Sequence, residues 1–195
     1  MNERYPDAHH DPSSNVIFGF WLYLMTDFIL FATFFATFAV LQGNTFGGPG
    51  AKELFSLPFA LAQTLLLLAS TLTCGLASLA MERQHKRGLY FWYAITFFLG
   101  LTFLALMISD FSHLIASGNS WSRNAFLSSY FSLIGLHGIH IAIGLIFIIF
   151  FLAQVGVRGL IPVTLRRLTC LKMFWFFSYI VWVFMFTIIY LIGAT

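Results

Sequence analysis

Three carboxyl or imidazole side chains lie within long apolar runs of this 195-residue chain: Asp27, His137 and His140. An ionisable group in hydrocarbon costs roughly 2.5–3.5 kcal/mol on insertion scales, so each calls for a partner or a task. Asp27 stands eleven residues into the first apolar run, ~16 Å from its start at 1.5 Å per residue. His137 and His140 stand at comparable depth in the fourth run. Their spacing of three puts both imidazoles on one helix face.

Three chemistries suit this trio: a carboxyl–imidazole clasp between helices, metal or haem ligation by the histidine pair, and proton relay through Asp27. Ligation needs further donors. His9 and His10 fall in the N-terminal stretch, His85 in a loop and His113 at a helix edge. The patterns HExxH, CxxCH and CxxC are all absent. A relay needs a chain of polar groups, and the apolar runs offer few. The expectation is a buried interhelical contact of Asp27 with His137 or His140, with ligation and relay as the alternatives. No catalytic, metal-ligating or cofactor-binding residue is expected in this chain.

Other polar residues fit the same reading. Gln63 lies about two turns into the second run, where its amide would bond across to another helix or close a small polar pocket. Asp110 and His113 are spaced for one face at the end of the third run and are expected to form an interfacial salt bridge. A nucleophile with its base, a phosphate loop and paired catalytic carboxylates are all missing from the sequence.

The elements that position these residues are five apolar stretches, about Val16–Leu41, Leu57–Met81, Leu89–Ile108, Ala125–Ala153 and Leu171–Ile192. A bilayer core about 30 Å thick needs ~20 apolar helical residues to cross it. With 59% hydrophobic residues, 9% charged and a mean hydropathy of +0.87, the chain has too much apolar surface for a soluble domain of this length. The expected fold is an all-α membrane protein, a bundle of five transmembrane helices. Residues 1–15 form a polar cytoplasmic tail and residues 16–195 one transmembrane domain.

Loop charge sets the orientation. Arg4, Arg83, Lys86, Arg87, Arg158, Arg166, Arg167 and Lys172 fall on one side, and only Lys52 and Arg123 on the other. Short loops rich in Lys and Arg stay in the cytoplasm, which puts the N-terminus inside and the C-terminus in the periplasm. The net charge of +3 therefore reports topology, and no basic stripe is left over for a nucleic acid. Trp21, Tyr23, Tyr90, Trp92 and Trp175 are expected near the cytoplasmic interface, and Trp121, Tyr130 and Tyr190 near the outer one.

Small residues recur at helical spacing: Ala32 with Ala36, Ser70 with Cys74 beside Gly75, and Gly138 with Ala142. Such rows let helix backbones approach closely, because lipid supplies no hydrophobic drive for pairing. Cys74 and Cys170 read as small apolar residues, with no disulfide framework.

Residue strings carry the reading further. Phe18 to Asp27 with Ile29 to Phe31, the loop Gly47 to Phe59, the string Gly135-Leu-His-Gly-Ile-His140, and Phe174-Trp175 with Trp182 occur in order on successive segments. Together they resemble subunit III of bacterial haem-copper oxidases, closest to the cytochrome bo-type ubiquinol oxidase branch, over about Val16 to Ala194. Five helices also suit the quinol branch, since the cytochrome c oxidase form usually has seven. The resemblance implies a non-catalytic subunit of a proton-pumping terminal respiratory oxidase in the bacterial inner membrane. It further implies haem and copper in partner subunit I, contacts with subunits I, II and IV, and room for bound phospholipid.

Departures from the family pattern cluster at polar sites. Gln63 stands where a Glu is common, Met107 where an acid is common, and Phe176 and Tyr179 within a last-helix motif that commonly reads W-H-F-x-D. A drier interior that keeps its packing role follows from these changes. Rival readings are a shortened cytochrome c oxidase subunit III, a stand-alone channel or transporter, and an assembly factor. A transporter would be expected to show inverted repeats or broken helices, and the sequence has neither.

Overall fold

A computed structural model of the chain describes residues 12–43 and 57–192. The readings of the N-terminal tail, with His9 and His10, and of the loop from Gly47 to Ser56 lie outside the described residues. Five helices fill the rest: α1 (Pro12–Leu41), α2 (Leu57–Glu82), α3 (Lys86–Ala116), α4 (Ala125–Arg158) and α5 (Pro162–Met185). A wider π-helical turn, Phe186–Ile192, continues α5. Each of the five is long and apolar enough to cross a membrane, and no strand occurs among the described residues.

The helices outrun the apolar stretches, because backbone hydrogen bonding continues where hydropathy stops. α3 starts at Lys86, before the expected Leu89, because His85 caps it: the ring Nδ1 accepts from Gly88 N at 3.0 Å. It runs past Ile108 to Ala116, its serines bonding back to the preceding turn, as Ser112 Oγ does to the Ile108 carbonyl at 2.9 Å. α4 is capped by Asn124, whose side chain accepts from Leu127 N at 2.8 Å. It continues five residues past Ala153 and stops at Gly159, where φ is +74° and a side chain would be strained. α5 begins at Pro162, nine residues before the expected Leu171, with proline at the first turn where its missing N–H is harmless.

In cross-section the helices form a closed ring in the order α1, α4, α3, α2, α5, and α4 also packs against α5. The core between them is built from large side chains, among them Tyr93, Phe103, Leu133, Ile141, Trp175 and Trp182, all almost wholly buried. Outward faces carry Phe91, Phe98, Ile146 and Phe150, fully in keeping with a lipid or protein surround. The first helix is the least enclosed. It meets the bundle along a single edge made of Leu24, Asp27, Phe31 and Phe38.

Candidate functional site

Asp27 and His140 meet between α1 and α4. The Nε2 atom of His140 lies 3.6 Å from Oδ2 of Asp27, and both residues are more than nine-tenths buried. The other ring nitrogen, Nδ1, donates to the Leu136 carbonyl one turn back at 2.9 Å. Phe31 and Phe174 close the site, their ring centres 5.0 and 6.1 Å from the imidazole. This 3.6 Å approach is longer than a hydrogen bond, so the contact is electrostatic rather than a satisfied clasp.

His137 takes a different partner. One turn before His140, it reaches α5 instead, and its Nε2 donates to the Ser178 carbonyl at 3.1 Å. Its ring packs edge-on to Phe103 and beside Trp182. The two histidines share a helix but fasten different neighbours, so they do not converge on one ligand. Each ring has one nitrogen on a backbone carbonyl, and Nδ1 of His137 has no hydrogen-bond partner. Among the described residues no three His, Cys, Asp or Glu side chains come together.

A second polar knot holds α2, α3 and α5. Trp175 Nε1 donates to Ser70 Oγ at 3.1 Å, and Ser70 Oγ donates to the Thr96 carbonyl at 3.3 Å. Thr73 and Thr96 join hydroxyls at 2.8 Å. One helical turn pair further on, Trp182 Nε1 donates to Thr64 Oγ1 at 3.0 Å. The Trp175 ring is wedged between two glycines. A Cβ at Gly100 on α3 would lie 2.9 Å from the ring, and one at Gly144 on α4 would lie 2.8 Å from it. Here glycine is required by close approach, since any side chain would collide with a buried indole. Neither glycine stood out in the sequence. The available signal was a glycine inside an otherwise bulky helix, which lowers helix propensity by roughly 1 kcal/mol and so needs a packing reason.

The remaining expected residues divide. Gln63 is buried at 2% exposure, with no hydrogen bond to another described residue. Ser70 and Cys74 are buried, Gly75 is half-buried on the rim of a groove, and Ala142 is half-buried. Gly138 is buried against the Met107 side chain, which occupies the space a Cβ would need. Ala32 and Ala36 are exposed, because α1 turns its Leu24–Phe38 edge inward to bury Asp27 and two phenylalanines. The expected close approach at those alanines is not made among the described residues.

Three aromatic residues assigned to the membrane interfaces face inward instead. Trp175, Tyr130 and Tyr190 are all buried, while Trp21, Tyr23 and Trp121 are exposed. Tyr130 and Tyr190 join hydroxyls at 3.0 Å, and Tyr130 Oη donates to Asp110 Oδ2 at 3.4 Å. Asp110 therefore engages this tyrosine pair, and the expected Asp110–His113 salt bridge does not form. Because α3 continues to Ala116, Asp110 lies inside the helix rather than at its end.

Comparison with known proteins agrees with this architecture. The family model for cytochrome c oxidase subunit III matches residues 4–194. Subunit 3 of the cytochrome bo(3) ubiquinol oxidase of Pseudomonas aeruginosa is 46% identical over 203 residues, covering 100% of this chain and 97% of the relative. Quinol oxidase subunit 3 of Bacillus spizizenii is 42% identical, covering 91% and 87% of the two chains. A Buchnera aphidicola (subsp. Schizaphis graminum) cytochrome bo(3) ubiquinol oxidase subunit 3 is 38% identical over 93% of this chain. The chain belongs to the cytochrome c oxidase subunit III family.

Proposed function

We propose that this chain is the third subunit of a quinol-oxidising terminal oxidase and carries no redox centre of its own. It braces the catalytic subunit I, alongside subunits II and IV, and supports assembly and sustained turnover in the bacterial inner membrane. Haem and copper belong to subunit I. Electrons pass from ubiquinol to oxygen there, with protons pumped across the membrane. The N-terminus lies in the cytoplasm and the C-terminus in the periplasm.

The observation that carries this reading is where the polar side chains go. Asp27, His137, His140, Ser70, Thr96, Trp175 and Trp182 each reach across to a neighbouring helix, so the polar interior serves helix–helix contact. Near full-length likeness to relatives named as quinol oxidase subunits favours the quinol donor over cytochrome c.

A tagged pull-down from membranes in mild detergent tests the proposal. Co-purification of a larger haem-bearing subunit, with quinol-dependent oxygen uptake and a reduced-minus-oxidised haem spectrum, is the expected result. Recovery of the chain alone and haem-free, or uptake that needs cytochrome c, would overturn it.

A further inference from the structure

Tyr130 lies about 8 Å into α4 at 1.5 Å per residue, near the end of the bundle where α3 turns into α4. Its hydroxyl oxygen is 3.0 Å from that of Tyr190, and it donates to Asp110 Oδ2 at 3.4 Å. A phenol carries one proton, so with that of Tyr130 on the carboxylate, Tyr190 donates to Tyr130. Tyr130 is wholly buried and Tyr190 nearly so. A phenol thus stands between a proton acceptor and a hydrogen-bond donor, away from water.

The backbone leaves α-helical geometry to make this arrangement. Met185 and Tyr190 are both buried. At 3.6 residues per turn, five residues set two side chains about 140° apart. The π-helical turn Phe186–Ile192, whose hydrogen bonds reach five residues on, narrows that angle and brings Tyr190 inward. Such turns are rare and recur at functional sites.

An aromatic path joins the pair to the surface. The ring centre of Phe131 lies 5.8 Å from that of Tyr130 and 6.3 Å from that of Trp121. Trp121 is 58% exposed. Phe111 packs on both Tyr130 and Phe131, at 6.3 and 4.6 Å, and closes the phenol off.

We propose that Tyr130 is a redox-active tyrosine that gives one electron, by way of Trp121, to peroxyl radicals at the membrane surface. Phenol and indole are among the side chains most readily oxidised by one electron, and Phe131 is the short bridge between them. As the electron leaves, the Tyr130 O–H bond breaks and its proton passes to Asp110 Oδ2. The phenoxyl oxygen keeps the hydrogen bond from Tyr190. The peroxyl radical gains the electron, takes a proton from water and becomes a hydroperoxide. Trp121, oxidised in passing, returns to its starting state. The site rests on this geometry and is independent of the oxidase reading.

Flash-quench oxidation of the purified full chain tests this. A ruthenium polypyridyl label on Ser122→Cys, in a Cys170→Ser background, supplies the one-electron oxidant beside Trp121, and low-temperature EPR identifies the radical. A neutral tyrosyl signal is expected, and Tyr130→Phe should remove it. Tyr190→Phe should keep the signal but raise its largest g-value, because the phenoxyl loses a hydrogen bond. Asp110→Asn should slow radical formation on the order of a hundredfold, the lower end for a positioned proton acceptor. Peroxyl radicals from a thermal azo initiator should give the same Tyr130-dependent signal in unlabelled protein.

A tyrosyl signal undiminished in Tyr130→Phe would overturn the proposal. So would an unchanged rate in Asp110→Asn, an unshifted g-value in Tyr190→Phe, or no Tyr130-dependent signal with the azo initiator. A purely structural role lowers the stability of these variants and moves neither the rate nor the g-value.

Discussion

Nε2 of His140 faces Oδ2 of Asp27 at 3.6 Å while Nδ1 of the same ring is committed to the Leu136 carbonyl. A carbonyl only accepts, so Nδ1 carries a proton. The contact between α1 and α4 is thus electrostatic rather than a hydrogen bond, made where α1 has few other attachments.

Removing either partner should loosen the first helix. Asp27→Asn and His140→Phe are each expected to lower the unfolding free energy of the complex by about 0.6 kcal/mol, the average for interhelical polar contacts in membranes, and by no more than about 1.7 kcal/mol. The double variant should lose less than the sum of the two, because the contact is one and the same. Thermal unfolding of the purified complex reads this. Strictly additive losses, or none at all, would sink the idea of coupling between the two residues.

Two glycines on one helix should behave differently. A Cβ at Gly144 meets the rigid Trp175 ring at 2.8 Å and Phe174 at 3.1 Å, whereas a Cβ at Gly138 meets the flexible end of Met107. Gly144→Ala is expected to cost about 1–3 kcal/mol by overpacking, and Gly138→Ala distinctly less. Trp175→Phe should partly suppress the Gly144→Ala defect. Equal losses at the two positions, in the same thermal assay, would contradict the wedge.

The buried tyrosine pair allows a graded comparison. Tyr130 reaches both Tyr190 and Asp110, and Tyr190→Phe leaves the Asp110 contact in place. Tyr190→Phe is expected to cost roughly 1 kcal/mol and Tyr130→Phe more. Denaturation in detergent compares them. A Tyr130→Phe loss no greater than the Tyr190→Phe loss would contradict this ordering.

His137 and His140 both have neighbours within this chain, so the double substitution His137→Ala with His140→Ala should leave every haem band of the complex in place. Loss of one band with unchanged subunit stoichiometry would show that one of these rings ligates iron.

The helices were legible because crossing a bilayer imposes a length on apolar runs, and no other class tolerates five such runs in 195 residues. Their ends were not. Hydropathy marks where side chains turn polar, whereas α3 ends where its last carbonyls find Ser117 and Asn119 as partners, eight residues beyond Ile108. The Asp27–histidine proximity was legible from depth and phase, yet which histidine took part was not. His137 and His140 differ by one turn, and only the placement of α5 sends His137 to Ser178. Trp175 illustrates a different blindness. Interfacial and core tryptophans are the same residue type near a helix end, and only Ser70, Gly100 and Gly144, distant in sequence, distinguish them.

The 34 residues of α4 extend about 51 Å at 1.5 Å per residue. Spanning a core of about 30 Å with all of that length would need a tilt of about 54°, beyond the ~40° upper end for membrane helices. Part of the helix must stand clear of the hydrocarbon. The C-terminal end of α4 is tied to the start of α3: Tyr90 Oη donates to the Leu152 carbonyl at 2.9 Å, and the Lys86 side chain lies beside Gly159. The start of α3 and the end of α4 thus brace each other into one rigid corner. A protein that docks there meets a shape already set and loses little conformational freedom from this side of the joint.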